Sequence, residues 1–172
     1  MRSVTSCEEY GYDYDSLSRE QITGALPELA EQFGSILTGV PATALRAHPR
    51  PGSWSALEYG CHVRDVMRVQ RDRVLLAQVE QTPTFVSMRR DERAIEERYN
   101  EQDPGAVAAA VEAGARELAD TLAGFSEDAW LRTGVYPWPE PEIRTVDWIA
   151  RRAVHELAHH LFDCQRLLDP PD

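Results

Sequence analysis

Near the end of the chain, Arg151 to Cys164 reads RRAVHELAHHLFDC, and within it HELAH spells H-E-x-x-H, the zinc signature of many metalloproteases. Residues four apart on an α-helix lie about 40° apart on one face, so His155 and His159 can reach one ion. A third nitrogen lies far upstream. His62 falls in an apolar helical stripe with Val66 and Val69, flanked by Glu58 and Asp65. Taken singly, a histidine on an apolar face is commonly a hydrogen-bonded core residue, and an i, i+4 pair is commonly incidental. Together, His62, His155 and His159 form a natural set of three neutral ligands, which with open water positions is how a catalytic metal site is built. His48, in a proline-rich loop, and His160, about 100° round from His159, read as structural or surface residues. Glu156 is turned by the same angle from His155 and reads as an ion-pair partner of Arg152 or Arg151.

The protease reading fails on context. Zincins with the short motif take a third ligand from downstream, and few residues follow His160. The longer signature needs Gly and His where Phe162 and Gln165 stand. No strand pattern offers an edge for a peptide substrate. The five letters are a coincidence of spacing.

Composition narrows the field further. The chain has 172 residues, enough for one domain, with a net charge of −11 and a pI near 4.9. That acidity argues against nucleic acid and against anionic membrane as partners. Every basic residue is arginine, so no lysine is available for Schiff-base chemistry. The start has no apolar signal core and no run is long enough to span a bilayer, so a cytoplasmic setting is expected. Cys7, Cys61 and Cys164 form no C-x-x-C pair and read as reduced thiols, the latter two as buried helix residues.

The elements that must position these residues are helices. Apolar spacing and caps predict four long ones near 18–40, 55–79, 105–124 and 145–168. Ser55-Ala56-Leu57-Glu58 is a capping box, Asp103-Pro104 an N-cap followed by a first-turn proline, and Thr145 a cap for the last helix. A short helix is expected over DERAIEERYN, and GVYPWPEPEIR, with three alternating prolines, reads as loop. No stretch alternates well enough for a strand. The acidic, Tyr-rich residues 1–15 read as an N-terminal arm, packed or disordered. Four long helices with long connections make an all-α four-helix bundle.

Four segments in order then carry a resemblance. PGSWSALEYGCHVRD resembles the Trp-Ser-x-x-Glu-x-x-x-His segment of the DinB/YfiT-like metalloproteins, and RTVDWIARRAVHELAHHLFDCQRL their closing helix with its H-x-x-x-H-H pattern. ERYNEQDP and the Trp-x-Arg-x-Gly of Trp130 to Gly134 are similar to family segments at the matching places. The resemblance spans about residues 18–168. It implies a DinB-like four-helix bundle with a non-adjacent connection, often a homodimer. It also implies zinc or nickel on His62, His155 and His159, with Tyr99, Asn100, Arg144 and Trp54 near the pocket mouth. The best understood family members use a low-molecular-weight thiol, such as mycothiol or bacillithiol, for S-transfer or isomerisation.

The chemistry expected is therefore metal-dependent addition of a small thiol to a small electrophile. Three neutral imidazoles leave a divalent ion its charge, which favours thiolate. Asp65 or Glu58 could take the thiol proton, while Glu58 could equally do no more than complete its capping box. A metal-dependent hydrolase and a non-catalytic metal- or small-molecule-binding bundle stand as alternatives, because all three share the triad.

Overall fold

The computed structural model describes residues 16–169 and, by backbone alone, a short antiparallel pair, β1 (Ser6–Cys7) with β2 (Tyr12–Asp13). The expected N-terminal arm otherwise lies outside the described residues. The four long helices are α1 (Arg19–Gly39), α3 (Ala56–Val79), α5 (Pro104–Ala123) and α7 (Val146–Leu168), each within two residues of its expected limits. The caps explain that agreement. Ser55 and Glu58 close a reciprocal box, with bonds of 3.2 and 2.7 Å, and Ser18 and Gln21 close a second one on α1. Asp103 accepts from Ala106 N at 2.8 Å and Thr145 from Trp148 N at 3.1 Å. Each cap satisfies otherwise orphaned N–H groups and contributes about 1 kcal/mol.

The helices pack in the ring order α1, α5, α3, α7, so consecutive long helices α1 and α3 stand on a diagonal, as do α5 and α7. Only the α3–α5 connection joins neighbours. The two crossing connections are long and carry the small elements: α2 (Ala42–Leu45) in the first, α6 (Glu127–Leu131) and a hairpin in the second. The core they enclose is mainly apolar, with Ile22, Leu26, Phe33, Leu57, Met67, Leu118, Leu122 and Ile149 fully buried. The expected short helix over DERAIEERYN is divided into α4 (Arg90–Glu96) and a 3-10 turn at Tyr99–Glu101. No helix among the described residues is long and apolar enough to cross a membrane.

One expectation needs correcting. The segment read as loop contains a two-stranded hairpin, β3 (Thr133–Tyr136) with β4 (Glu142–Thr145). Each strand is only four residues long, too short for period-2 alternation to stand out, and the prolines at 137, 139 and 141 lie in the turn between them. Several bonds tie the hairpin to the rest of the chain. Val135 exchanges backbone bonds with the 83–85 segment, donating to Pro83 O at 2.8 Å and accepting from Phe85 N at 3.0 Å. Arg132 donates to the carbonyls of Ala77 and Glu80, satisfying the C-terminal end of α3.

At Gly134 the hairpin meets Phe85 so closely that a Cβ would lie 2.2 Å from the ring. Phe85 is itself buried, so neither group can yield without moving the strand. Gly134→Ala should destabilise the protein by about 1–3 kcal/mol, measured by urea unfolding. An unchanged midpoint would mean that the 83–85 segment is not held as described.

Candidate functional site

Between α3 and α7, roofed by residues 87–91 and the turn of the hairpin, lies a cleft of about 570 Å³. That volume suits a small organic molecule. His62, Val66, Val69, Gln70 and Arg73 line it from α3; Arg152, His155, Glu156, His159 and His160 line it from α7. The apolar stripe of α3 thus faces the bundle at most positions, and presents polar groups where α7 leaves a gap.

Glu156 is the centre of this group. Its Oε2 lies 3.3 Å from His62 Nε2 and 3.4 Å from His160 Nε2. Its Oε1 pairs with the Arg152 guanidinium, the ion pair expected from the sequence. Burial opposes charge on Glu156, but hydrogen bonding by His155, His160 and His62 together with Arg152 holds its carboxyl well below the usual range. His62 is 3% exposed, and burial pushes its pKa down, so the ring is neutral. For His160 burial is outweighed by bonds to Asp163 and Glu156, and its pKa is raised.

The expected trio is not gathered into one set. The rings of His155 and His159 lie side by side, 5.3 Å between centroids, and His155 Nδ1 accepts from Arg152 Nη1 at 3.0 Å. The donor atoms of His62, Glu156 and His160 do converge, all within 4.8 Å of one another. His160 was expected to be structural or at the surface; it is 7% exposed and central. Its Nδ1 is 2.9 Å from Asp163 Oδ2, a carboxylate acceptor that orients the ring and turns Nε2 toward Glu156. Tyr59 stacks on its ring at 5.0 Å, and Trp54 stands edge-on to His62 at 5.2 Å.

This donor set fits a divalent ion. Ligands about 2.1 Å from a tetrahedral zinc stand about 3.4 Å from one another, matching the 3.3 and 3.4 Å separations about Glu156. These contacts are long for charge-assisted hydrogen bonds, which run to about 2.9 Å. The buried Nδ1 of His62 has no hydrogen-bond partner, leaving that ring's polar interactions to Nε2. Sequence reasoning read Glu156 as an ion-pair partner and His160 as structural or surface, although E-x-x-x-H has the same i, i+4 spacing as the histidine pair it favoured.

The other expected site residues do not line the cleft. Asp65 faces the α3–α5 groove, where Arg64 Nε and the Tyr99 hydroxyl donate to it at 2.9 and 2.5 Å. Burial raises the Tyr99 pKa, and the Asp65 charge raises it further. Glu58 is spent on its capping box and on His48, 2.8 Å away. Asn100 accepts from the Ser55 hydroxyl at 2.8 Å and donates to Arg46 O at 3.1 Å. Arg144 pairs with Glu142 and lies over the Trp148 ring.

The fold has known counterparts. The chain resembles YfiT from Bacillus subtilis, described as a probable metal-dependent hydrolase with an unusual four-helix bundle topology, at 19% identity over 89% of each chain and a TM-score of 0.80. It also resembles a mycothiol-dependent maleylpyruvate isomerase at 18% identity and a TM-score of 0.71, covering 88% of this chain and 62% of that one. No individual curated protein matches by sequence. The DinB superfamily model matches residues 25–162, most of the chain, with His62, Glu156 and His160 inside the match, and the protein belongs to that superfamily.

Proposed function

We propose that the protein is a divalent-metal-dependent enzyme that joins a low-molecular-weight thiol to a small electrophile, with His62, Glu156 and His160 as the residues that hold zinc or nickel. The observation that carries this reading is the convergence of two imidazoles and a carboxylate on one point of an organic-molecule-sized cleft. When bound, a divalent ion supplies Lewis acidity there and favours the thiolate form of a thiol. The chain's own residues prepare the site. Arg152 keeps Glu156 ionised and oriented, Asp163 orients the His160 ring, and burial keeps His62 neutral. Tyr136 and Trp138 cover the cleft from the hairpin side and limit water.

The sulfur comes from outside. Cys61 is buried, its thiol directed at Tyr99 O and pushed up to about 12 by burial. Cys164 is likewise buried with a raised pKa, and neither lines the cleft. Likeness to a mycothiol-dependent isomerase supports the thiol. Likeness to YfiT favours a second reading, a hydrolase that needs no thiol.

Three measurements test these statements. His62→Ala, His160→Ala and Glu156→Gln should each lower bound zinc or nickel, by elemental analysis, to well under one equivalent, while His48→Ala keeps it. If His155→Ala and His159→Ala strip the metal and Glu156→Gln does not, the ligands are instead the trio first expected. In the native protein at pH 8, Cys61 and Cys164 should resist iodoacetamide and then label fully in denaturant, as read by peptide mass. Rapid native labelling of Cys61 would restore a protein nucleophile. Metal-loaded enzyme should accelerate monochlorobimane consumption with mycothiol or bacillithiol more than with glutathione, and chelation should abolish the effect. Thiol-independent ester or amide cleavage, with no thiol reaction, would favour the hydrolase.

A further inference from the structure

Arg73 stands at the far end of the cleft from the histidines, 7% exposed. Most arginines around this cleft have an acidic partner: Arg152 has Glu156, Arg89 has Glu96 at 3.0 Å, and Arg90 has Asp91 at 3.5 Å. Arg73 has none within ion-pair distance among the described residues, in a chain whose net charge is −11. Its guanidinium donates to the Val86 carbonyl at 2.8 Å and to Gln70 Oε1 at 3.3 Å, and lies over the Tyr136 ring at 4.6 Å. A buried cation with only neutral partners is costly, because carbonyls and rings replace little of the hydration it loses. Burial indeed pushes its pKa down, opposed only by Tyr136.

A second donor lies beside it. Gln70 Nε2 donates to the Tyr136 hydroxyl at 2.9 Å, so that oxygen is used as acceptor and its own hydrogen is left for another group. Arg73 and Tyr136 therefore present a cation and an O–H to the same end of the cleft. The floor between them and His62 is Val66 and Val69, on one face of α3. Arg73 is eleven residues along from His62, about 16 Å at the backbone, and an arginine leaning toward the helix N-terminus shortens the span to about 10 Å.

We infer that Arg73 and Tyr136 form the anion subsite of the cleft, and that its organic ligand is an elongated carboxylate with an apolar middle and its reacting end at His62. Guanidinium geometry matches a carboxylate through paired N–H donors, and such a ligand would complete the charge that the fold leaves unpaired. The inference rests on the cleft being the substrate site, but its test reads binding rather than turnover. It can therefore stand if the thiol chemistry fails.

The test uses the full-length metal-loaded protein with 6-phenylhexanoate and its neutral counterpart, 6-phenylhexan-1-ol, by isothermal titration. The acid should bind at least about tenfold more tightly than the alcohol. Arg73→Gln should remove that preference and leave alcohol affinity and metal content unchanged; Tyr136→Phe, which keeps the ring, should weaken the acid alone. A packing role for Arg73 would weaken both ligands together, and that result overturns the inference. So does equal affinity of the wild-type protein for acid and alcohol, a comparison that stands even if Arg73→Gln does not fold.

Discussion

Everything at the site depends on one buried carboxylate. Glu156 would be too costly to bury as an isolated charge, and it is tolerated because Arg152 neutralises it from its own helix while His62 reaches it from the other. The same contact defines how α3 and α7 face one another: an acidic group on α7 sits against a neutral imidazole on α3, with a second imidazole, His160, one turn along. Asp163 then fixes His160, and Tyr59 and Trp54 pack the rings from behind. The site's charges are arranged in layers, with arginine and aspartate outside and imidazole and glutamate inside.

The fold was largely legible from the sequence because its signals are local. Capping boxes at Ser18 and Ser55, Asp103-Pro104 and Thr145 each act within a few residues, and they mark the helix ends whatever the tertiary structure. The hairpin was not legible, because its strands are four residues each and Thr133–Tyr136 is also held by the 83–85 segment, far away in the chain. Prolines in the turn hid strands on both sides.

Spacing pointed to α3 and α7, the two helices that line the cleft, and to His62, which lies in it, but could not choose among the faces of α7. His155, Glu156, His159 and His160 all fall within six positions, and helical geometry allows either i, i+4 pair. What distinguishes them in the structure is packing: Arg152 contacts His155 Nδ1, while Asp163 holds His160 with its Nε2 toward Glu156. Asp65 and Tyr99 show the converse. Their residue types suit catalysis, but the structure spends them on each other beside α5.

The diagonal connections have a mechanical consequence. Because α3 and α7 are neighbours in space but not in the chain, His62 and Glu156 meet across 94 residues of sequence. Closing a loop of that length carries an entropic cost that only contacts between the two helices can repay. Anything that binds across the two helices acts as a clasp on that loop, restricting the opened chain as a long-range crosslink does. The cleft therefore lies along a long-range seam of the bundle, so that a molecule bound there also favours the closed fold.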